Sequence, residues 1–421
     1  LSSFAAFLFV VAVTEAFELP ESPFCASSQN GCSTYREGEL LVRFVELEPG
    51  EQPPEGPVIM GPRLPRAVRD SMARNVAAGS SVATEYNTIA PGLAMVRLPK
   101  GMSVADAMVK FNSSANVLYA EPNYKYKLLI DPNDPMYMDQ WGLNNLGQSG
   151  GLPDADIDAP EAWDIQKGDP NIIVAILDTG IDYNHPDLRD NMWVNEAEGD
   201  PNNSQPGVDD DGNGYIDDIY GYDFAGFSGM DPDDGDGDPC DFYFHGTHVA
   251  GIIGAVTDNE EGVAGVAWNV RLMALKVFAD DQAIEPETFG SEVLAAVDYA
   301  IAQDVNVINA SWGGPDYSQS LFLAAAKANG MGILWVSAAG NDYFSDNDSV
   351  PVYPANFGYE FGMDNMISVM STDANDQIAM FSNYGEFSVD VAEPGVDVLS
   401  TMPTYLTPAM EFYGLATDYE S

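Results

Sequence analysis

The first part of the chain with a regular pattern lies between about residues 34 and 126, where short apolar runs alternate with amphipathic stretches. The pattern predicts four strands and two helices, at residues 39–44, 83–87, 94–98 and 116–120 and at residues 67–78 and from 103 onward. Ser103 and Asp106 have the spacing of a helix capping box. The order β-α-β-β-α-β predicts a small α+β domain with a ferredoxin-like layout.

From about residue 160 the pattern changes, and apolar runs rich in β-branched residues alternate with alanine-rich helical stretches. Strands are predicted at 172–177, 270–277, 305–308, 332–336 and 366–369, and helices near 248–257, 291–303 and 319–329. Continuous apolar strands separated by helices predict an α/β fold with a doubly wound, mostly parallel sheet. The polar stretch 195–241, rich in Gly, Asp and Asn, predicts an elaborated surface loop.

The acidic residues are distributed unevenly along the 421-residue chain, whose formal net charge is -50. Residues 1–130 contain 11 Lys and Arg and 13 Asp and Glu, whereas residues 131–421 contain 5 and 53. The net charge is therefore -2 in the first part and -48 in the second, which predicts a domain boundary near Asp131. Such acidity argues against nucleic acid as a partner. It instead suggests bound cations, or a salty medium that screens self-repulsion.

The N-terminal residues indicate a secretory signal, although the chain begins with Leu1 rather than Met. Phe4 to Val13 is an unbroken apolar run of the length of a signal h-region, and it is too short to span a bilayer. Thr14 and Ala16 then supply the small residues of a cleavage site. We expect a signal peptide over residues 1–16 and a secreted, extracellular protein. A buried N-terminal segment is the alternative.

The three cysteines fit that compartment without requiring it. Cys25 and Cys32 are close enough in sequence to pair in an oxidising environment. Cys240 stands alone, and we expect a buried thiol or a half-cystine whose partner lies elsewhere; a reactive thiol is the alternative.

Three polar motifs follow apolar strands or begin helices, where the active sites of α/β proteins lie. Asp178 ends a strand, His245 and His248 begin a helix, and Asn341 follows another strand. Two histidines three residues apart could bind zinc if a third ligand were near. Alternatively, Asp178 could orient the His245 imidazole, and the Asn341 amide could donate to an oxyanion. Asp, His and Asn so placed predict acyl transfer that still requires a nucleophile.

Four segments, in order along the chain, resemble the subtilase family of serine proteases: DTGID (178–182), HGTHVAG (245–251), SWGG (311–314) and AAGN (338–341). The resemblance covers about residues 130–421 and implies a subtilisin-like fold that hydrolyses peptide bonds through an acyl-enzyme. It implies that Asp178 and His245 belong to an Asp-His-Ser triad and that Asn341 is the oxyanion donor. His248 is then expected to be a packed structural residue, and His185 a turn residue.

The same resemblance implies which residues bind the substrate. They are the residues of the last two motifs, Ser311, Trp312, Gly313 and Gly314 together with Ala338, Ala339 and Gly340. Glycines there permit close approach of a backbone. No sequence feature places a charge at the base of this pocket, so a broad apolar preference is expected.

The N-terminal part resembles the inhibitory propeptides of subtilases in the segments EGELLVRF (37–44) and YAEPNYKY (119–126). An unrelated accessory domain is the alternative. The resemblance implies self-cleavage between about Tyr126 and Asp134. We therefore expect an inhibitory propeptide over residues 17–130 and a catalytic domain over residues 131–421.

Calcium is the expected cation, and one candidate site is an acidic loop. Its oxygen-bearing side chains occupy positions one, three, five and nine of an EF-hand pattern: Asp209, Asp211, Asn213 and Asp217. Position six is Gly214, but position twelve is Tyr220 instead of Glu, so the loop is only similar to an EF-hand. A solvated acidic turn is the alternative. Residues 231–238 form a second acidic cluster.

A further calcium site rests on the resemblance alone. Its implied ligands are the carboxylates of Asp134 and Asp187, the side chain of Asn259, and the backbone carbonyls of Val256, Glu261 and Val263.

No Gly-Thr-Ser motif is present, and the sequence reaches Ser421 where the family pattern is about to supply one. We expect the nucleophilic serine in the residues that follow. The alternative is a catalytically inactive subtilase-like binding module. The expected partners are protein or peptide substrates and the chain's own propeptide as an intramolecular inhibitor. Nucleic acid is not expected, nor is a membrane after signal removal.

Overall fold

The structure, a computed structural model, describes residues 35–45, 65–124, 131–200, 204–226, 235–280 and 286–420. The chain divides into two compact units, which contain the described residues 35–124 and 131–420. The predicted signal, the pair Cys25 and Cys32, and part of the acidic cluster 231–238 lie outside the described residues. Within the described residues, no helix is long and apolar enough to cross a membrane.

The N-terminal unit is a four-stranded antiparallel sheet with two helices. Its elements are β1 (Tyr35–Phe44), α1 (Arg66–Val76), β2 (Ser81–Glu85), β3 (Leu93–Arg97), α2 (Val104–Asn112) and β4 (Val117–Tyr124). The sheet order β2-β3-β1-β4 is the predicted ferredoxin-like layout. Leu40 and Val42, on one face of β1, pack against Ala73 of α1 and Phe111 of α2. The Ser103 cap accepts the Asp106 N–H at 3.1 Å.

The second unit contains a seven-stranded sheet in which all neighbouring strands are parallel, in the order β11-β10-β9-β8-β5-β7-β6. Its elements are α3 (Ala159–Trp163), β5 (Gly168–Asp178), α4 (Glu196–Gly199), β6 (Gly221–Asp223), α5 (His245–Gly254), β7 (Asn269–Lys276), α6 (Gly290–Ala302), β8 (Val307–Ala310), α7 (Gln319–Gly330), β9 (Leu334–Ala338), α8 (Phe357–Phe361), β10 (Met366–Thr372), β11 (Val391–Pro394), β12 (Ser400–Thr401), α9 (Pro408–Tyr413) and β13 (Tyr419–Glu420). Short 3-10 helices lie at Tyr137–Asp139, Gln148–Gly150 and Arg189–Asn191.

Helices cover both faces of this sheet, which confirms the predicted doubly wound α/β class. Ala175 and Leu177 of β5 pack into the cluster that contains residues of α6 and α7. The alternate residues, Val174 and Ile176, pack into the cluster that contains residues of α5. Because a buried central strand is apolar on both sides, residues 172–177 of β5 appear in the sequence as a continuous apolar run.

The carboxyl ends of three neighbouring strands position the predicted motifs. β5, β8 and β9 are adjacent in the sheet and end at Asp178, Ala310 and Ala338. The segments that begin at Ser311 and Ala339 therefore follow β8 and β9 at the sheet edge where β5 presents Asp178. Helix α5, which packs against β5 and β7, begins at His245.

Candidate active site

A buried carboxylate and a partly exposed imidazole form the central pair of the site. Oδ1 of Asp178 lies 2.8 Å from Nδ1 of His245, and the Thr179 N–H donates to the same oxygen at 2.8 Å. The Asp178 side chain is 1% exposed and that of His245 is 23% exposed. A proton on Nδ1 therefore points at Asp178, which leaves Nε2 of the neutral ring as the proton acceptor.

Opposing effects act on the pKa of His245. Burial disfavours the charged imidazolium, but the negative charge of Asp178 and its hydrogen bond to the ring favour it, as does the more distant charge of Asp241. The net effect raises the pKa of His245 above its ordinary value. An imidazole with a raised pKa accepts a proton more readily, which suits a general base.

Gly246, immediately after the histidine, lets helix α5 approach the end of β5. A Cβ at this position would overlap the carbonyl oxygen of Gly180 and would lie 3.1 Å from Cβ of Asp178. The Gly246 N–H donates to Oγ1 of Thr179 at 2.9 Å. The short approach explains why a helix that begins with His245 holds its ring against Asp178.

A cleft of about 500 Å³ opens where β8 and β9 end. Six of the seven predicted substrate-binding residues line it: Ser311, Trp312, Gly313, Gly314, Ala338 and Gly340. Asn341 also lines the cleft and is exposed, so its amide is available to a ligand. The Trp312 Nε1–H donates to the Leu177 carbonyl at 2.8 Å, which ties the cleft wall to the strand that ends at Asp178.

Ala339 is the predicted substrate-binding residue that does not line the cleft. It is fully buried, and its carbonyl accepts the side-chain amides of Asn347 at 2.7 Å and Asn383 at 3.2 Å. Asn383 also accepts the Asp342 N–H at 2.7 Å, and its N–H donates to the Gly340 carbonyl at 2.8 Å. Asn347 and Asn383, which fix the loop that presents Asn341, could not be predicted because no local motif marks them.

Asp342 lines the cleft as well and adds a carboxylate to its wall, whereas the expectation of an uncharged base stays a prediction. Its Oδ2 accepts the Asn383 side-chain amide at 3.0 Å. The signal was present in the sequence, because Asp342 directly follows Asn341.

The two other histidines are packed between neighbouring elements. Nε2 of His248 lies 3.2 Å from the Glu420 carbonyl, and burial with the nearby His245 lowers the pKa of His248 to about 4. His185 is fully buried, and its Nδ1 accepts the Asp187 N–H at 3.1 Å. Over the described ranges, no histidine belongs to a group of side chains arranged to hold a metal ion, and the zinc alternative finds no support.

Cys240 is a half-buried free thiol. Its Sγ lies 2.8 Å from the Tyr405 hydroxyl, and burial raises the pKa of the thiol to about 12. A thiol that stays protonated at neutral pH is a packing group and a poor nucleophile.

The candidate calcium site that rests on the family resemblance brings together Asp134, Asp187 and the loop 256–263. Asn259 Nδ2 donates to Asp187 Oδ1 at 2.8 Å, and the Val263 N–H donates to Asp187 Oδ2 at 2.9 Å. The Glu261 N–H in turn donates to Asn259 Oδ1 at 2.8 Å, and the Val256 N–H to the Asp187 carbonyl at 2.8 Å. The predicted ligand roles of the Val256, Glu261 and Val263 carbonyls stay predictions.

Two buried carboxylates meet at this site. Burial raises the pKa of Asp187 to about 6, with a smaller contribution from the charges of Asp134 and Glu261. Burial also raises the pKa of Asp134, and its Oδ1 accepts no hydrogen bond from the described residues. The site therefore holds more negative charge than its protein donors compensate.

The acidic loop is organised differently from the EF-hand pattern. Glu198, Asp211 and Asp218 each offer a carboxylate oxygen, and these oxygens lie within 4.8 Å of one another. Asp209 and Asp217 are outside this group in the described structure: Asp209 accepts backbone N–H groups of residues 212–214, and Asp217 Oδ2 accepts the Gly207 N–H. Asn213 joins the group by donating to Asp211 at 3.1 Å and to Asp218 at 2.8 Å.

Glu198 and Asp218 were missed because neither has an EF-hand spacing. Glu198 lies in α4 and is 2% exposed; its Oε1 accepts the Asp210 and Asp211 N–H groups, whereas its buried Oε2 has no described partner. Asp218 is fully buried and accepts the Tyr299 hydroxyl at 2.6 Å. Burial raises the pKa of both carboxyl groups.

Comparison with family models gives two matches. Residues 169–416 match the model of the subtilase family, Peptidase S8, and residues 71–123 match the model of the fervidolysin N-terminal prodomain. The first match contains Asp178, His245 and Asn341, and the second lies within the N-terminal unit.

Curated relatives are proteases, and one of them aligns over both parts of the chain. The chain is 31% identical over 400 residues to a thermophilic serine proteinase of Bacillus sp. (strain AK1), covering 94% of this chain and 79% of the relative. It is 34% identical over 242 residues to subtilisin-like protease 2 of Plasmodium falciparum, covering 56% of this chain but only 15% of that protein. It is 32% identical over 246 residues to subtilisin-like protease 1 of Plasmodium vivax, covering 55% of this chain and 36% of that protein.

A solved structure described as proteases from Pseudoalteromonas arctica PAMC 21717 is similar, with a TM-score of 0.50 and 27% identity over 69% of this chain and 80% of that one. Together, the matched family model, the long alignment to a serine proteinase and the seven-stranded parallel sheet identify the family. The chain belongs to the subtilase family of serine proteases and carries a fervidolysin-like N-terminal prodomain.

Proposed function

We propose that the protein is a secreted, calcium-dependent serine endopeptidase that is made as a zymogen. The observation that carries this proposal is the 2.8 Å contact between Asp178 Oδ1 and His245 Nδ1 beside a cleft lined by Asn341. An imidazole oriented by a buried carboxylate, with an amide at hand for an oxyanion, is the arrangement that acyl transfer needs.

In the proposed reaction His245 accepts and donates the proton, and Asp178 stabilises the imidazolium that forms. His245 Nε2 takes the proton of a serine hydroxyl as the serine oxygen bonds to the carbonyl carbon of the peptide. The imidazolium, stabilised by Asp178, then protonates the leaving amine as the C–N bond breaks, which leaves an acyl-enzyme. In the second half, water gives its proton to His245 and its oxygen to the acyl carbon, and the serine regains a proton.

The cleft supplies binding and charge stabilisation. The Asn341 side-chain amide donates to the oxyanion of the tetrahedral intermediate, in the role that the family resemblance implies. The residues Ser311–Gly314, Ala338 and Gly340 flank the substrate backbone, and Trp312 provides an apolar wall. A preference for apolar side chains is proposed, with Asp342 adding one carboxylate at the wall.

Calcium is proposed as the resident cation because the residues present suit it. Calcium prefers carboxylate and carbonyl oxygens, and these are the donors around Asp134 and Asp187 and around Glu198, Asp211 and Asp218. Each site contains a buried carboxylate oxygen, Asp134 Oδ1 or Glu198 Oε2, without a hydrogen-bond donor among the described residues. Bound calcium would supply positive charge that stabilises the fold; it takes no part in the proton transfers.

The N-terminal unit is proposed to act as an inhibitor and folding aid. It matches a protease prodomain and has its own buried core, which includes Leu40, Val42 and Phe111. Its near-neutral charge contrasts with the acidic second unit. Secretion is proposed from the apolar run Phe4–Val13 and its small-residue cleavage site.

The test is peptide turnover by the protein expressed from its complete gene. We expect cleavage of peptide substrates and labelling by a serine-directed phosphonate. His245→Ala should lower kcat by about 10⁴-fold or more, the scale of loss known for triad substitutions. Asp190→Asn, at a carboxylate that is 75% exposed, is the matched control and should leave turnover unchanged.

The inactive alternative predicts a different result in the same assay. Peptide binding without turnover, and without a difference between the parent protein and His245→Ala, would show a binding module. Turnover that survives His245→Ala would show that the reaction uses other residues.

A further inference from the structure

A buried aspartate next to the proposed catalytic pair has no role in the mechanism above. Asp241 lies in the loop before α5, four residues before His245, and it is fully buried. Its carboxylate makes no direct contact with the His245 ring in the described structure, where that ring is bonded to Asp178. Asp241 is instead linked to Asp178 through Thr179 and to the helix turn of His245 through Thr247.

Asp241 is satisfied by four donors that come from three segments. Its Oδ1 accepts the Thr179 hydroxyl at 2.9 Å and the Tyr243 N–H at 2.9 Å. Its Oδ2 accepts the Thr247 N–H at 2.9 Å and the Thr247 hydroxyl at 2.7 Å. One carboxylate therefore joins the residue after β5 to the first turn of α5.

Thr179 is the residue through which this bond reaches the catalytic pair. Its N–H donates to Asp178 Oδ1 at 2.8 Å, and its hydroxyl oxygen accepts the Gly246 N–H at 2.9 Å. The hydroxyl has one proton, and Asp241 receives it, so the oxygen lone pairs remain free for Gly246. The Thr179 carbonyl accepts the Nζ of buried Lys276 at 3.1 Å. Every polar group of Thr179 named here is thus engaged at a fixed partner.

We propose that Asp241 is a positioning residue for the Asp178–His245 pair, acting through Thr179 and Thr247. The proposal rests on the proposed proteolytic function of that pair. By accepting the Thr179 hydroxyl, Asp241 fixes the position of the Thr179 N–H, which in turn orients the Asp178 carboxylate. By fixing Thr247, it sets the helix turn from which His245 projects.

The charge of Asp241 adds a second effect with its own signature. The groups that face His245 are Asp178 from β5, Asp241 from the preceding loop and His248 from the same helix. Asp241 itself is faced by Lys276 of β7 and lies near Asp182, Cys240 and Tyr405. Burial raises the pKa of Asp241 to about 6, so the carboxylate is charged at neutral pH and above. That charge supports the imidazolium form of His245.

Three variants of the full-length protein separate the hydrogen bonds from the charge. Asp241→Asn removes the charge and places an amide against donors, and Thr179→Val removes only the hydroxyl. Thr179→Ser keeps the hydroxyl and is the matched control. We expect kcat to fall about 10²-fold in Asp241→Asn and in Thr179→Val, with KM changed less than about threefold, because small misplacements of catalytic groups carry losses of this size. Thr179→Ser should retain activity close to that of the parent.

The pH dependence distinguishes positioning from a general structural role. The acid limb of the kcat/KM profile should move to lower pH in Asp241→Asn, and it should stay in place in Thr179→Val. Loss of activity in proportion to the unfolded fraction, with an unchanged acid limb in Asp241→Asn, would overturn the proposal. Equal activity of Thr179→Val and Thr179→Ser would overturn the path through the hydroxyl.

A titration of the His245 ring by NMR, assigned by its absence in His245→Ala, does not depend on turnover. A lower pKa of His245 in Asp241→Asn supports the proposal even if the parent protein cleaves no peptide, in which case the proposed function alone fails. An unchanged pKa of His245 in a folded Asp241→Asn protein counts against the charge effect whatever the activity.

Discussion

Asp241, Asp134 and Glu198 are all buried in the second unit, but their carboxylate oxygens differ in how they are satisfied. Asp241 accepts four protein donors, from Thr179, Tyr243 and Thr247. Asp134 Oδ1 and Glu198 Oε2 are equally buried but accept none from the described residues. An unsatisfied buried oxygen is costly, and a cation is the partner that reverses the cost. The hydrogen-bond donors therefore distinguish Asp241 from the buried carboxylates of the two candidate calcium sites, Asp134 and Glu198.

The largest effect should come from removing the satisfied carboxylate. Asp241→Ala leaves four buried donors without an acceptor, and each such group costs about 1–3 kcal/mol. We expect the free energy of unfolding to fall by about 3 kcal/mol or more, equally in calcium and in excess chelator. Urea unfolding at pH 8 in both solutions measures this. A loss seen only in calcium would place Asp241 in the cation-binding group.

Chelation should produce the next largest effect, counted for each site. A ligand at a hundred times its dissociation constant adds roughly 2.7 kcal/mol per site to stability. We expect excess chelator to lower the melting temperature markedly and Asp134→Asn to remove part of that response. The exposed Asp139→Asn serves as the control. An unchanged melting curve in chelator would sink the assignment of both sites.

The effect of Glu198→Gln on the free energy of unfolding should have opposite signs in chelator and in calcium. The substitution removes a buried negative charge, so in chelator the variant should be as stable as the parent or about 1 kcal/mol more stable. In calcium the variant should lose the stabilisation that calcium bound at this one site contributes. Because the Asp134 and Glu198 sites share no ligands, the calcium-dependent losses of the two variants should add. Thermal unfolding of both single variants and the double variant checks this, and a loss in Glu198→Gln that ignores calcium would contradict it.

Asp223 gives the smallest of these effects and a test by pH. Burial raises its pKa to about 7, against the nearby positive charge of Lys276. The folded protein thus binds a proton more tightly than the unfolded chain, so this contribution to stability declines as pH rises from about 4 to 7. Relative to the parent, Asp223→Asn should gain on the order of 2 kcal/mol between pH 5 and pH 8. The exposed Asp298→Asn is the control and should show no such gain in the same unfolding measurements.

Much of the fold was predictable because buried strands and capped helices have local patterns in the sequence. Residues 172–177 of β5 are a continuous apolar run, and the Ser103 cap has its partner three residues away. β6 and β11 escaped prediction. Three residues within an acidic loop carry too little periodicity to mark β6, and β11 contains Glu393 and Pro394, which are uncommon in strands.

Site residues that belong to a sequence motif could be predicted, whereas contacts between segments distant in sequence could not. Asp178 and His245 stand in recognisable motifs, and the structure places their side chains in contact. Ala339 belongs to a motif yet faces the interior, because its carbonyl is held by amides that lie 8 and 44 residues away. Glu198 meets Asp218 across a loop whose path no sequence spacing specifies.

The indole of Trp312 gives the protein an optical readout of its own cleft. It lines the space between the ends of β8 and β9 while its Nε1–H is bonded to the Leu177 carbonyl, so the ring stays in place when the space around it is filled. A bound peptide would replace water against the ring, and the emission of an indole shifts toward shorter wavelengths as its surroundings become less polar. Occupancy of the cleft can therefore be followed by intrinsic fluorescence, without a labelled substrate and in variants too slow for turnover assays.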